Sequence, residues 1–315
     1  MVQKMKDDGF AYVSDGALVV DVKEDTDTKE IPPCMILKSD GASLYNTTDL
    51  ATIVWREEDY DPDEIIYVVD KRQELHFVQV FRCARKTGLV KPETELKFLG
   101  FGTMNGKDGK PFKTRDGGVM RLEYLVSEID NEMLKKITEN QKSKENLGIS
   151  EEEAKETAKT VALAAIKYGD LSNQASKDYI FDVDRFTSFE GNTGPYILYT
   201  IVRIKSILKK YAENGGNAEG AKILAAENAA EKALMLQVLK FNEVIDTVYA
   251  ETAPHKLCAY IYDLANEFNK FYHETKILSE EDEAKKSGYI ALLNLAKKVL
   301  ETCIDLLGFT APERM

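Results

Sequence analysis

The sequence has 315 residues, of which 43% are hydrophobic and 30% are charged, and its net charge is −12. This length accommodates two domains with separate cores, and the composition is that of an ordinary soluble globular protein. The acidic balance argues against a protein that coats nucleic acid without sequence preference. A local basic face remains compatible with a specific nucleic-acid partner.

The cysteines and histidines are few and dispersed. The four cysteines and three histidines show neither CxxC nor HxxxH spacing, which argues against a structural zinc site and a disulfide framework. No apolar run approaches the length of a membrane span, and the N-terminus has no signal-peptide pattern. We therefore predict a cytoplasmic protein with no metal site and no membrane partner.

The first hundred residues combine strand and helix patterns. A helix with a threonine cap is predicted from Thr47 or Thr48 to Glu58, and a second ends near Lys86, before Gly88. The run IIYVV has the continuous apolar character of a buried parallel strand. Strands are predicted over residues 17–22, 35–37, 65–69 and 96–101. The pattern predicts a partial Rossmann-type α/β nucleotide-binding domain.

Polar residues follow the last two of these strands. Asp70, Gln73 and His76 come after the third strand, and a glycine-rich loop comes after the fourth. Ligands of open α/β sheets bind at the carboxyl ends of the strands, so we expect a binding site there. Taken alone, a histidine such as His76 is more often a structural residue whose hydrogen bonds are satisfied within the protein.

The loop over residues 100–118 reads GFGTMNGKDGKPFKTRDGG. Its glycines permit close approach of the backbone to a ligand, and Lys113, Thr114 and Arg115 combine charge with a hydroxyl, as phosphate binding requires. The same loop also fits a solvated β-hairpin with turns at Asn105-Gly106 and Asp108-Gly109. The residues of the loop leave both interpretations open.

Tyr45 and Asp49 are four residues apart near a predicted helix start, so one ligand could contact both. Asp49 suits a cationic substrate, and Tyr45 offers a flat face or a hydroxyl. The alternative is that Asp49 only stabilises the positive end of the helix dipole.

From Leu122 onward the pattern is helical. Helices are predicted over residues 123–140, from a Ser150 capping box through Ile166, and from about Pro195. Residues 214–230 read as a loop with a weak helix, and residues 234–307 as three amphipathic helices. The second half of the chain is therefore predicted to be an all-α bundle.

Five stretches resemble arginyl-tRNA synthetases, which are class I aminoacyl-tRNA synthetases. They read SDGASLYNTTDLATIVWR, IIYVVDKRQELHFVQVFRCARKTG, FLGFGTMNGKDGKPFKTRDGG, RFTSFEGNTGPYILYTIVRI and LANEFNKFYHE. The resemblance covers essentially the whole chain. It implies the C-terminal half of the class I catalytic domain over residues 1–126, a helical junction over 127–186 and a DALR-type anticodon-binding bundle over 187–315.

The same resemblance implies ATP-dependent ligation of arginine to tRNA-Arg, with ATP as the co-substrate and Mg²⁺ bound to it. Tyr45, Asp49 and Gln73 match arginine-binding positions. Residues 112–115 stand where class I enzymes have a KMSKS-type loop, which makes Lys113, Thr114 and Arg115 the implied catalytic residues. Phe112 and Thr114 depart from that consensus, where methionine and serine are usual.

The resemblance also implies a set of ATP-binding residues and a set of tRNA-binding residues. The ATP-binding positions are His76, Gln79, Gly102, Met104 and Lys113, with His76 and Gln79 in an HxxQ helix. The tRNA-binding positions are Arg185, Tyr196, Tyr199 and Arg203.

None of the three histidines stands in a HIGH-type motif, which the family carries in the first half of its catalytic domain. The resemblance therefore implies one of three forms: a fragment of a longer reading frame, a split enzyme that works with a separate N-terminal half, or a remnant with another role. It also implies a sheet that lacks strands and exposes an apolar edge. The alternative is a non-catalytic module that binds tRNA or arginine.

Overall fold

The structure, a computed structural model, describes residues 1–110, 121–143 and 150–315. They form two compact units, Met1–Thr103 and Met104–Met315, and each unit has its own hydrophobic core. The domain boundaries at residues 126 and 186 stay predictions.

The first unit is α/β, as the strand and helix patterns predict. A three-stranded antiparallel sheet has the order β1-β2-β3, and β4 and β5 form a separate parallel pair. In chain order the elements are α1 (Val2–Asp7), β1 (Ala11–Ser14), β2 (Ala17–Val20), β3 (Cys34–Leu37), α2 (Tyr45–Tyr60), β4 (Glu64–Asp70), a 3₁₀ turn (Lys71–Gln73), α3 (Glu74–Lys86) and β5 (Glu95–Phe101).

Strand β4 is covered on one face only. Ile65 and Tyr67 are buried in the core with α3, whereas Ile66 and Val68 on the opposite face are 41% and 60% exposed. The prediction of a fully buried parallel strand is therefore wrong for one face. The continuous apolar run therefore places apolar side chains on both faces of the strand, and the described residues cover one of these faces.

Helix α2 begins two residues earlier than predicted. It starts at Tyr45, and Thr47 lies inside its first turn. The Thr47 hydroxyl accepts a hydrogen bond from the Leu44 backbone N–H at 3.1 Å and donates one to the Ile36 carbonyl at 2.5 Å. This threonine therefore holds the helix start against β3, a different role from the predicted N-cap.

The second unit is predominantly helical. Two short strands form a parallel pair, with Met104 opposite Tyr179. In chain order the elements are β6 (Met104–Asn105), α4 (Leu122–Ser143), α5 (Glu151–Leu171), β7 (Tyr179–Ile180), α6 (Val183–Phe186), α7 (Gly194–Glu213), α8 (Ala229–Leu239), α9 (Phe241–Glu251), α10 (Pro254–Glu274) and α11 (Glu283–Leu306).

Two helix starts agree with the sequence signals. The Ser150 side chain accepts a hydrogen bond from the Glu153 backbone N–H at 3.2 Å, and Thr193 caps α7 just before Pro195. The prediction of three helices after residue 234 is wrong, because the chain turns at Lys240 and separates α8 from α9. Residues 214–228 contain no helix, so the weak helix predicted there is also absent.

Gly194 lets the start of α7 pack against α5. A Cβ atom at this position would lie 2.3 Å from the Ala164 carbonyl oxygen, which is backbone and cannot rotate away. We expect Gly194→Ala to destabilise the second unit by about 2–3 kcal/mol, as overpacked cores generally do. Thermal unfolding of the purified variant measures this.

The comparison for this prediction is Gly191→Ala. Gly191 has a φ of +79° with open space around it, so only the backbone strain of about 1 kcal/mol applies. Equal losses for the two variants would contradict the packing role of Gly194.

Candidate functional site

Helix α2 presents the two predicted arginine-binding residues from adjacent turns. Tyr45 is the first residue of the helix, and its side chain is 84% exposed. Asp49 lies one turn later with a side chain that is 30% exposed. A flat aromatic face and a carboxylate are therefore available to one ligand on this helix.

Asp49 is hydrogen-bonded to the neighbouring helix. The His76 Nε2 atom of α3 lies 2.6 Å from the Asp49 Oδ2 atom. Tyr67 is close enough for the Asp49 charge to raise the pKa of its phenol, although burial is the larger cause. The Arg56 guanidinium lies over the Tyr67 ring at 5.2 Å. Asp49 therefore sits among groups from α2, β4 and α3.

Two of the three remaining predicted residues near β4 and α3, Asp70 and Gln79, have hydrogen-bond partners within the first unit. Asp70 forms an ion pair with Arg72 at 2.6 Å, and hydrogen bonds from Arg72 lower the pKa of Asp70 to about 2. Gln73 is exposed at the end of the 3₁₀ turn. Gln79 donates hydrogen bonds to the Pro32 and Pro33 carbonyls at 2.8 and 3.2 Å. Gln73 is thus the predicted residue here that is most open to a ligand.

The predicted ATP and phosphate residues fall in different places. Gly102 belongs to the first unit, and Met104 begins the second unit. The three predicted catalytic residues, Lys113, Thr114 and Arg115, lie outside the described residues. The described start of the loop turns at Gly109, whose N–H donates to the Gly106 carbonyl at 2.9 Å.

Three of the predicted tRNA-binding residues belong to one polar and aromatic cluster on α7 and α10. Arg203 stacks on the rings of Tyr199 and Tyr272 at 4.7 and 5.1 Å. It donates hydrogen bonds to the Asn269 side-chain oxygen at 2.6 Å and the Tyr199 hydroxyl at 3.1 Å. The guanidinium is therefore held by two aromatic rings and two hydrogen bonds.

Tyr196 belongs to the same cluster. Its hydroxyl donates to the Asn266 side-chain oxygen at 2.7 Å and accepts from the Asn269 amide at 2.9 Å, and burial raises its pKa. Arg185 is exposed on α6 and lines a shallow pocket with Asn192 and Gly194. Asn266, Asn269 and Tyr272 belong to the cluster without being predicted as site residues, although the NEFNKFY stretch places them on α10 at helical spacing.

Two family models match the chain. The model described as tRNA synthetases class I (R), catalytic domain, matches residues 1–183, and the DALR anticodon binding domain matches residues 197–315. A catalytic domain of this kind followed by an anticodon-binding domain defines a class I aminoacyl-tRNA synthetase. The chain belongs to the arginyl-tRNA synthetase family of that class. The predicted resemblance and fold class are thereby confirmed.

Curated relatives agree with this family. The chain is 72% identical to the arginine–tRNA ligase of Agathobacter rectalis and 57% identical to that of Alkaliphilus oremlandii, over its whole length. The matches cover 53% and 52% of those proteins. The chain therefore spans about half the length of the curated relatives that it matches.

Solved structures give the same fold. Arginyl-tRNA synthetase from Plasmodium falciparum matches the whole chain with a TM-score of 0.80 at 25% identity, over 51% of that protein. The Thermus thermophilus arginyl-tRNA synthetase matches with a TM-score of 0.83 at 24% identity, over 57% of its chain.

Across residues 1–110, 121–143 and 150–315, no helix has the length and apolar character of a membrane span.

Proposed function

We propose that this chain supplies the arginine-binding and anticodon-binding parts of an arginine–tRNA ligase. In the proposed reaction, the arginine carboxylate attacks the α-phosphate of ATP, pyrophosphate leaves, and the arginyl group of the adenylate is then transferred to the 3′ end of tRNA-Arg with release of AMP. The observation that carries this proposal is the Asp49 carboxylate, held by His76 and one helical turn from the exposed Tyr45.

The proposed roles follow from the chemistry of the side chains. Asp49 would pair with the substrate guanidinium, while Tyr45 and Gln73 would contact the rest of the amino acid. Catalysis by positioning and by stabilisation of the pyrophosphate charge requires no protein nucleophile. The assignments of Lys113, Thr114 and Arg115 to the phosphates, and of Gly102 and Met104 to the nucleotide, stay predictions.

ATP is proposed as the co-substrate, with Mg²⁺ as its counter-ion. In the described ranges no group of three His, Cys, Asp or Glu side chains could hold a metal ion. A Mg²⁺ ion that accompanies ATP is held mainly by the phosphates and by water, so it does not require such a group. A reaction that loads tRNA for protein synthesis fits the cytoplasmic location predicted from the sequence.

Substrate choice tests the proposed function. The assay measures charging of tRNA-Arg by the chain supplied with the N-terminal half of a full-length relative, with either L-arginine or L-citrulline. Citrulline has nearly the same shape but a neutral ureido group, so it cannot form the ion pair with Asp49. We expect charging with arginine and a loss of about 10³-fold or more with citrulline, as for substrates that leave buried polar groups unpaired. Equal use of both would contradict the proposal.

The exposed face of β4 supports an N-terminal half as partner. Ile66 and Val68 are an apolar pair on a two-stranded sheet, and a class I catalytic domain buries such a sheet on both faces. The double variant Ile66→Lys, Val68→Lys is expected to weaken binding of the N-terminal half by about tenfold or more, because two charges would replace buried apolar contacts.

Calorimetry with the separately purified N-terminal half measures this association. The matched control is Val13→Lys, which places a lysine at a residue of β1 that is 69% exposed. Equal affinities for the double variant and the control would show that the β4 face is not the contact surface.

A non-catalytic module that binds tRNA or arginine is the second candidate function. It is favoured by the lack of a HIGH-type motif around His76, His255 and His273. If this candidate is correct, the chain binds tRNA but does not charge it, whether or not the N-terminal half is present.

A further inference from the structure

We propose that His76 is a positioning residue of the arginine site, whose imidazole holds the Asp49 carboxylate in the orientation that a guanidinium requires. This inference rests on the proposed function. It assigns His76 to the amino-acid side, whereas the resemblance to the family places it beside ATP.

The contact between the two side chains indicates which nitrogen of the imidazole carries a proton. The His76 Nε2 atom lies 2.6 Å from the Asp49 Oδ2 atom, a distance typical of a hydrogen bond to a charged group. An ionised carboxylate only accepts hydrogen bonds, so Nε2 carries the proton and donates it. Both side chains are partly buried, at 22% and 30% exposure, which strengthens the bond relative to one at the open surface.

The bond to His76 leaves the carboxylate able to bind a substrate. Among the described residues, no group donates a hydrogen bond to the Asp49 Oδ1 atom, and Oδ2 can still accept a second donor. A guanidinium fork binds two carboxylate oxygens in one plane. Because His76 fixes Oδ2, the plane of the Asp49 carboxylate is set before arginine arrives, and less ordering is required on binding.

The hydrophobic core holds the imidazole in place. The His76 ring meets the edge of Phe77 at 4.9 Å with an interplanar angle of 86°. Phe77 is 4% exposed and packs against Tyr67 and Phe81 at 4.8 and 5.6 Å. The position of Asp49 on α2 is therefore coupled through His76 to the core between α3 and β4.

The other polar residue of the HxxQ pattern is also used inside the first unit. Gln79 donates hydrogen bonds to the Pro32 and Pro33 carbonyls, and His76 is hydrogen-bonded to Asp49. The pattern thus accounts for two contacts within the protein, and His76 directs its Nε2 proton to the residue proposed to bind arginine.

Steady-state kinetics in the charging assay separates the amino-acid role from the nucleotide role. His76→Ala is expected to raise KM for arginine about tenfold, the usual cost of a lost hydrogen bond to a charged group, while KM for ATP changes less than about twofold. His76→Gln can return a donor near the Nε2 position, so it is expected to recover most of the loss. Glu74→Gln, an exposed change on the same helix, is the control. A raised KM for ATP with an unchanged KM for arginine would overturn the proposal.

A second measurement needs only the chain itself. The three histidines give six imidazole ¹⁵N signals by NMR, one from each ring nitrogen, and His76→Gln identifies the pair that belongs to His76. Asp49→Ala is expected to shift the His76 Nε2 signal and to leave the His255 and His273 signals in place. An unchanged His76 signal would overturn the proposal even in a protein that charges tRNA. Absence of charging with a shifted His76 signal would instead refute the proposed function and retain the contact.

Discussion

Asp49→Asn is expected to lower kcat/KM for arginine by about 10²–10⁴-fold in the charging assay, the range seen when one partner of a desolvated ion pair loses its charge. The asparagine can still accept the hydrogen bond from His76, so the helices α2 and α3 keep their contact. KM for ATP and the affinity for tRNA-Arg are expected to stay near their original values, because the change removes only the attraction for the guanidinium.

The matched control for this variant is Asp59→Asn. Asp59 is an exposed carboxylate on the same helix, so the variant has the same net charge without a change at the site. Thermal unfolding of both variants checks that the fold is retained. Charging with arginine at the original rate by Asp49→Asn would show that the arginine site is elsewhere.

Arg203→Met is expected to weaken binding of tRNA-Arg by about 10–100-fold, because hot-spot residues at interfaces and base-stacking groups each contribute about 1–3 kcal/mol. Methionine replaces the aliphatic part of the side chain and removes the charged guanidinium that contacts the Tyr199 and Tyr272 rings. It also leaves the Asn269 side-chain oxygen without its donor. KM for arginine is expected to stay near its original value.

The control for Arg203→Met is Lys232→Met, which removes one positive charge from an exposed position of α8. Filter binding with labelled tRNA-Arg at two salt concentrations distinguishes the loss of a phosphate contact from the loss of the aromatic cluster. Loss of a phosphate contact alone lowers the dependence of affinity on salt concentration. Equal losses for the two variants would contradict a specific role of the cluster.

The order of strands and helices could be predicted from sequence because it depends on local patterns. The Ser150 cap, the glycine after α3 and the runs that form β4 and β5 are each encoded within a few residues. The helix boundary at Lys240 has no sequence signal, because residues 234–253 contain no glycine or proline that would mark a break. Thr47 was assigned to the wrong cap position because its partner, Ile36, is eleven residues away.

The candidate sites could be predicted only in part, because some of their contacts join residues that are far apart in sequence. Tyr45 and Asp49 share a helix, so their spacing indicates a common ligand. The bond between Asp49 and His76 joins residues 27 apart in sequence, and no local pattern encodes it. Likewise, Arg203 donates a hydrogen bond to Asn269, which is 66 residues away in sequence, so no local pattern indicates that Arg203 also lies over the Tyr272 ring.

The most direct test of the central claim is charging of tRNA-Arg with labelled arginine in three arms. These are the purified chain, the N-terminal half of a full-length relative, and the two combined, each with ATP and tRNA present. Charging is expected in the combined arm alone, because the proposed arginine site and the anticodon-binding domain are in the chain, whereas the N-terminal half of the relative supplies the HIGH-type motif. Charging by the N-terminal half alone, or silence in all three arms with tRNA binding intact, would contradict this expectation.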